Sequence, residues 1–313
     1  MLYYVVRRIL VLPPVMVIVA LVVFCLLYAT PGDPAAMIAG DQATPEDIER
    51  VRVAMGLDKP FFVRFAGWVW QLVNGDLGTS IFSNQPVTQL IGQRVGPTFS
   101  LLSLALVISV LIAVPVGVMA AWNRGKTADR VFTLVTVLSF SFPVFVVGYV
   151  FAFSFSTTLK WLPVQGYTPL SDGFGPFLDH LILPAMTLGV SYAAILARTT
   201  RSSMLDVLSQ DYIRTAIAKG AGPRNILFKH ALKNAAIPII TVIGLGLATL
   251  IGGSVITESV FAIPGIGRLT LDAILHRDYP ILQGVVLLFS ASYVAVNLVI
   301  DILYTLVDPR IRY

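Results

Sequence analysis

The chain has 313 residues, 56% of them apolar and only 12% charged, with mean hydropathy +0.82 and net charge +5. Soluble domains carry roughly 25% charged residues, so this composition excludes an ordinary globular fold and predicts an all-α integral membrane protein. Cys25 is the only cysteine, which excludes an intrachain disulfide and a thiol-based metal cluster; in its apolar run it reads as a small buried side chain.

Arg7 and Arg8 precede an apolar run at 9–28. At ~1.5 Å per residue this run matches a hydrocarbon core of about 30 Å. It is longer than the core of a secretory signal, and it reads as an uncleaved first span. Pro31-Gly32-Asp33-Pro34 ends it and opens an extracytoplasmic helical segment over 29–97. There Thr44 caps a helix that starts at Pro45-Glu46-Asp47 and stops at Gly56. Pro60 opens an amphipathic piece over 61–73, closed by Asn74-Gly75. Its Phe65, Trp68 and Trp70 suit either a membrane interface or packing against the protein's own loops.

The core over 98–313 holds five further spans, at about 98–121, 131–155, 181–197, 236–256 and 281–307. Pro115, Pro143, Pro184 and Pro238 lie in or beside them, and membrane helices tolerate such prolines where neighbours satisfy the freed carbonyls. Six spans put both termini on one side. With the N-terminus inside, the inner segments hold 14 Lys/Arg against 4 acids, and the outer ones 8 against 12. That asymmetry fits the positive-inside rule, so both termini are expected in the cytoplasm. It also accounts for the net charge without nucleic acid.

Few residues suggest chemistry. Asp301, with Asn297 at i−4, is the one acid inside a span. It is either a functional carboxylate or one that pairs with an inner Arg or reaches the interface. Gly125-Lys126-Thr127 lacks the earlier Gly of a phosphate-binding loop, Ala120 standing in its place. His180, His230 and His276 are too scattered for a zinc site. No catalytic residue and no metal or cofactor site is expected on this chain. Gly244, Ala248 and Gly252 form a smooth stripe for helix packing, inside the bundle or against a second membrane subunit. After the fifth span, Glu258, Phe261, Pro264, Gly265 and Gly267 form a turn that reads as an outer gate, a docking lip or an ordinary exit turn.

The most unusual stretch is 210–235, a basic insert between two spans. Ser209 can cap a helix over 210–219, Gly220 stops it, and Gly222-Pro223 starts another. Tyr212, Ile213, Ala216 and Ile217 share one apolar face, with Arg214 and Lys219 at its rim.

This stretch resembles the cytoplasmic signature of permease subunits of ATP-driven, binding-protein-dependent importers. Ala216, Gly220 and Leu232 match the general form, while Arg214 and Thr215 stand where it has Glu-Ala. DYIRTAIAKG with LKNAAIP, PGDP, LGTSIFSNQPV, ESVFAIPGIGRL, RDYP and DPRIRY resemble the dipeptide/oligopeptide/nickel group, closest to the first membrane subunit of a dipeptide permease. The resemblance implies a type I importer fold in a bacterial inner membrane. It also implies a homologous second permease, two cytoplasmic ATPases that bind ATP and Mg, and an extracytoplasmic substrate-binding protein. The elbow residues Asp211, Tyr212, Ile213, Arg214, Thr215, Ala216, Ile217, Lys219 and Gly220 are then the expected ATPase contact. Substrates in the group include di- and oligopeptides, glutathione, nickel chelates and glycosides. The rivals are a stand-alone secondary carrier, which predicts more intramembrane charge, and a non-transporting scaffold.

Overall fold

A computed structural model describes residues 2–29, 34–39, 43–54 and 56–307. The expected turn at Pro31-Gly32-Asp33 and the tail 308–313 lie outside the described residues. Helix α1 is Leu2–Ala29, followed by α2 (Pro34–Ala39), α3 (Pro45–Ala54) and α4 (Phe61–Val73). Next come α5 (Val87–Trp122), α6 (Thr127–Ser141) and α7 (Val144–Phe151), which continues as a π-helix over Ala152–Thr158. Helix α8 (Phe174–Leu208) leads to α9 (Asp211–Ala218); a π-helical stretch, Asn225–Leu232, runs into α10 (Lys233–Val260). The last two helices are α11 (Ile266–Leu275) and α12 (Tyr279–Val307). Among the described residues the one β pairing is an isolated bridge between Thr79 and Pro86.

Among the described residues, four helical stretches are long and apolar enough to cross a membrane: α5, α8, Asn225–Val260 and the part of α12 over Tyr279–Tyr304. The count is five if α6 and α7 together form one span. The expected third span is therefore not a single straight helix, for its two halves meet at 101°. Pro143 is the reason. Its ring disfavours the helical conformation in the preceding residue, and Phe142 is extended at φ −99°, ψ 122°. The expected first span is helical throughout, within α1. Cys25 is exposed on this helix, not buried as expected; a small thiol on an outward face needs no partner.

The chain forms two compact units, residues 1–94 with 269–292 and residues 95–268 with 293–313. In the first, the Phe24 ring of α1 meets Phe61, Phe65 and Trp68 of α4 at 5.3–5.4 Å. One face of α4 thus packs on the protein itself, while Phe62, Val63 and Trp70 remain exposed. Thr44 caps α3 as expected: its hydroxyl oxygen accepts from the Asp47 amide at 3.3 Å, while its hydroxyl and amide donate back to the Asp47 carboxylate at 2.6 and 3.0 Å.

The second unit is built on α8, whose buried face runs from Leu181 to Met204. Small residues bring other helices onto it, since van der Waals packing rather than water exclusion holds membrane helices together. A methyl group at Gly189 would lie 2.9 Å from the Ala105 carbonyl of α5, and one at Gly117 2.7 Å from the Ala197 carbonyl of α8. Ser109 fastens the first crossing, donating to the Ala105 and Gly189 carbonyls at 2.7 and 2.9 Å. On α10, Gly246 meets the Tyr192 ring, and the Tyr192 hydroxyl donates to the Val242 carbonyl. Tyr304 of α12 donates to Thr241 of α10 at 2.6 Å.

Candidate functional site

The elbow after α8 is built as a helix and a stop. Gln210, extended at φ −75°, ψ 149°, occupies the cap position of α9. The expected cap, Ser209, instead donates its hydroxyl back to the Asp206 carbonyl at 2.8 Å. That hydroxyl finds an acceptor within its own last turn, so α9 starts without a side-chain cap. Gly220 ends the elbow helix at φ +81°, a conformation that costs a side-chain-bearing residue about 1 kcal/mol or more. The Ala221 amide reaches back to the Ala216 carbonyl at 3.1 Å and the Gly220 amide to the Ile217 carbonyl at 2.9 Å. These are the paired bonds of a Schellman stop.

The apolar face expected on this helix divides in two. Ile213 is 1% exposed and belongs to the same core cluster as Met204 and Ile226. Tyr212 and Ile217 are 44% and 53% exposed. Asp211, Arg214, Thr215 and Lys219 are exposed and Ala216 is half-buried. One isoleucine therefore anchors α9 to its own subunit, and its neighbours present a tyrosine, an isoleucine and two cations outward. Arg214 and Asp211 form an exposed 3.4 Å pair within the helix, worth little in water.

A second fastening, absent from the sequence reading, lies at the start of α6. Asp129 takes a bidentate contact from Arg201 of α8 at 2.6 and 2.9 Å and the Gly125 amide at 2.9 Å. Gly125-Lys126-Thr127 is thus a helix–helix turn between α5 and α6, with no preceding strand.

At the other end of α10, about 42 Å away at ~1.5 Å per residue, lies the Pro-Gly turn. Glu258 is fully buried. It accepts from the Thr98 hydroxyl of α5 at 2.7 Å and from the Arg268 amide at 2.9 Å. The Thr98 oxygen in turn receives the Ile266 amide at 2.7 Å. Gly265 and Gly267 leave the room this requires: a methyl group at Gly265 would overlap the Glu258 carboxylate, and one at Gly267 would lie 2.7 Å from the Val255 backbone. Phe261 is buried too, close to Gly148 of α7. Of the turn residues singled out in sequence, only Pro264 is exposed. Thr98 was missed because nothing local marks a threonine whose partner lies 160 residues away.

The loop before α5 is held in the same manner. Asp278, buried before α12, accepts from the Ser80 hydroxyl at 2.5 Å and from the Ile81 and Phe82 amides at 3.3 and 3.2 Å. Phe82 also packs on the His276 ring, with centroids 4.3 Å apart.

The α10 stripe is only partly covered. Gly244 is filled by Ile300 of α12, whereas Ala248 and Gly252 are exposed and Gly252 faces open space. Asp301 is buried. No cluster of three or more metal-ligating side chains occurs among the described residues.

Two family descriptions cover the chain. Residues 113–313 match the binding-protein-dependent transport system inner membrane component, and residues 1–102 match the N-terminal part of such membrane components. A probable peptide ABC transporter permease protein of Sinorhizobium fredii is 50% identical over 310 residues, covering 99% of both chains. A putative peptide transport system permease protein of Brucella abortus is 46% identical over 96% of both. The glutathione transport system permease protein GsiC of Salmonella choleraesuis is 44% identical over the full length of both. Among solved structures, the MetNI methionine ABC transporter in an inward-facing form has a similar fold. Its TM-score is 0.59 at 19% identity, covering 70% of this chain and 97% of that one.

Proposed function

This chain belongs to the family of binding-protein-dependent transport system inner membrane components, and from that premise we propose that it forms half of the pathway of a peptide importer. It is a membrane permease subunit, not itself catalytic. The other half is a homologous permease. Two ATPase subunits bind ATP and Mg, and an extracytoplasmic binding protein delivers di- or oligopeptides.

The observation that carries the coupling step is the division of α9. Ile213 ties the helix to the α8 core, while Tyr212, Ile217, Arg214 and Lys219 are presented outward. A helix anchored on one face and offered on the other transmits a push from an ATPase into α8 and α10. The test is Tyr212→Asp with Ile217→Asp in the assembled importer. The expected result is loss of ATPase copurification and of uptake with the subunit still in the membrane; retention of both refutes the role. Ile213 is unsuitable for this test, because charging a core residue unfolds the elbow whatever docks on it.

Glutathione is the second substrate reading, favoured by the full-length 44% identity to the glutathione permease. Uptake competition in a deletion strain carrying the gene back separates the two. Peptide transport predicts that unlabelled dipeptides, and not glutathione, suppress uptake of a labelled dipeptide.

A further inference from the structure

The elbow continues past Gly220 into a second arm, the π-helical stretch Asn225–Leu232 that runs into α10. A π-helix closes i→i+5 bonds, so residues five apart stack on one side; the tighter α-helix would turn the second well away from the first. Ile226 and Ala231 form such a pair, and both are buried in the core cluster that holds Ile213. Arg224 and Lys229 form a second pair, and Phe228 and Lys233 a third. These four residues are exposed, Phe228 by 57%. The winding therefore does for this arm what Ile213 does for α9. It holds an aliphatic pair inward and offers an aromatic ring and cations outward.

The charge on the elbow is one-sided. Asp211 is the one acid between Ser209 and Ala235, and it pairs with Arg214. Lys219, Arg224, Lys229 and Lys233 are exposed, and none of the four is in an ion pair among the described residues.

We propose that the second arm completes the ATPase-docking surface, and that the surface it meets is an apolar groove with an acidic rim. The proposal rests on α9 as the ATPase contact. Phe228 is a further anchor in addition to Tyr212 and Ile217, and the four cations face carboxylates of the partner. Exposed aromatic and aliphatic anchors ringed by charge are the make-up of a protein interface. Complementary charge at such a rim sets the rate of association and the choice of partner more than the final affinity. An anionic lipid surface would also take the cations. The core side chains Ile213 and Ile226, however, fix both arms in advance, a preorganisation that raises affinity for a folded partner and that a fluid surface does not need.

The test is rebinding of the ATPase subunits to the two membrane subunits held in nanodiscs of phosphatidylcholine or of phosphatidylglycerol, with the association rate read against salt. The unaltered pair is expected to lose rate steeply as salt rises. Lys229→Glu with Lys233→Glu is expected to cut the low-salt rate about tenfold and to flatten the salt dependence in both lipids. Phe228→Ala is expected to weaken affinity about tenfold, through faster dissociation. All three side chains are exposed, so none of these substitutions disturbs the core. An unchanged rate and salt slope in the charge variant overturns the acidic rim, and an unchanged affinity in Phe228→Ala overturns the anchor. A charge effect seen in phosphatidylglycerol alone assigns the cations to lipid headgroups and also overturns the proposal. If Tyr212→Asp with Ile217→Asp abolishes binding while the second-arm variants bind normally, the second arm fails and the α9 contact stands. If every variant binds normally, both readings fail.

Discussion

Removing the Glu258 carboxylate should release the Pro-Gly turn while leaving α10 intact. In Glu258→Ala the Arg268 amide and the Thr98 hydroxyl lose their acceptor inside a fully buried site. Each orphaned donor costs ~1–3 kcal/mol, so the pair costs roughly 2–6 kcal/mol. Hydrogen exchange of the assembled importer reads this locally through the amides of Ile266 and Arg268, which donate to Thr98 and Glu258. Each ~1.4 kcal/mol is a tenfold change in an opening equilibrium, so protection of these two amides should fall at least tenfold. Thr98→Val alone should loosen the Ile266 amide most. The double variant should cost less than the sum of the two by about 1–3 kcal/mol, because contacting residues are coupled. Additive effects, or unchanged protection at both amides, would refute the assignment of Glu258 as the clasp of the turn.

Asp278→Ala should free the 78–86 loop: Ser80 and the amides of Ile81 and Phe82 lose a common acceptor, and proteolysis within the loop should accelerate while the helices stay resistant. Gly246→Leu should block the approach of Tyr192 on α8 at a cost of about 1–3 kcal/mol, seen as a lower unfolding midpoint; Gly252→Leu, facing open space, should leave the isolated chain's midpoint unchanged. The α3 cap should weaken in acid. Hydrogen bonds from the Thr44 hydroxyl and amide hold the Asp47 carboxyl below its ordinary value of 3.8. A group lowered on folding contributes stability above its unfolded value and loses it as pH falls through the folded one. Exchange of the Ile48 amide should therefore rise below about pH 3.8, and Asp47→Asn should flatten that rise.

Local signals were legible where the physics is local. The Thr44 cap, the stop at Gly220 and the spans around α5, α8, α10 and α12 follow from residue type and run length. The bend at Pro143 was not, because a proline inside a run equally permits a shallow kink and a break. Its outcome depends on Phe142 turning extended. Ser209 misled for a related reason: a hydroxyl beside a helix start has a competing acceptor in the preceding helix, and here that acceptor wins. The asymmetry of α9 was invisible, since periodicity gives a face and says nothing of which half is already occupied by Ile226 and Met204.

Glu258 and Asp278 show how an acid at the end of a span comes to be buried. Glu258 stands in the last turn of α10 and Asp278 just before α12, positions at the end of an apolar helix where a carboxylate in isolation belongs in solvent. What draws each inside is a hydroxyl from a segment 160 or 198 residues away, joined by backbone amides, of Arg268 for Glu258 and of Ile81 and Phe82 for Asp278. Backbone amides in a tight turn need an acceptor as much as a carboxylate needs donors, so the buried charge and the irregular backbone satisfy each other. The same arrangement explains the glycines, for the Glu258 site closes only where Gly265 and Gly267 carry no side chain. The motif ESVFAIPGIGRL is therefore a self-locking turn first, and any docking partner meets the part left exposed, Pro264 and Arg268, held in place by the residues it cannot reach.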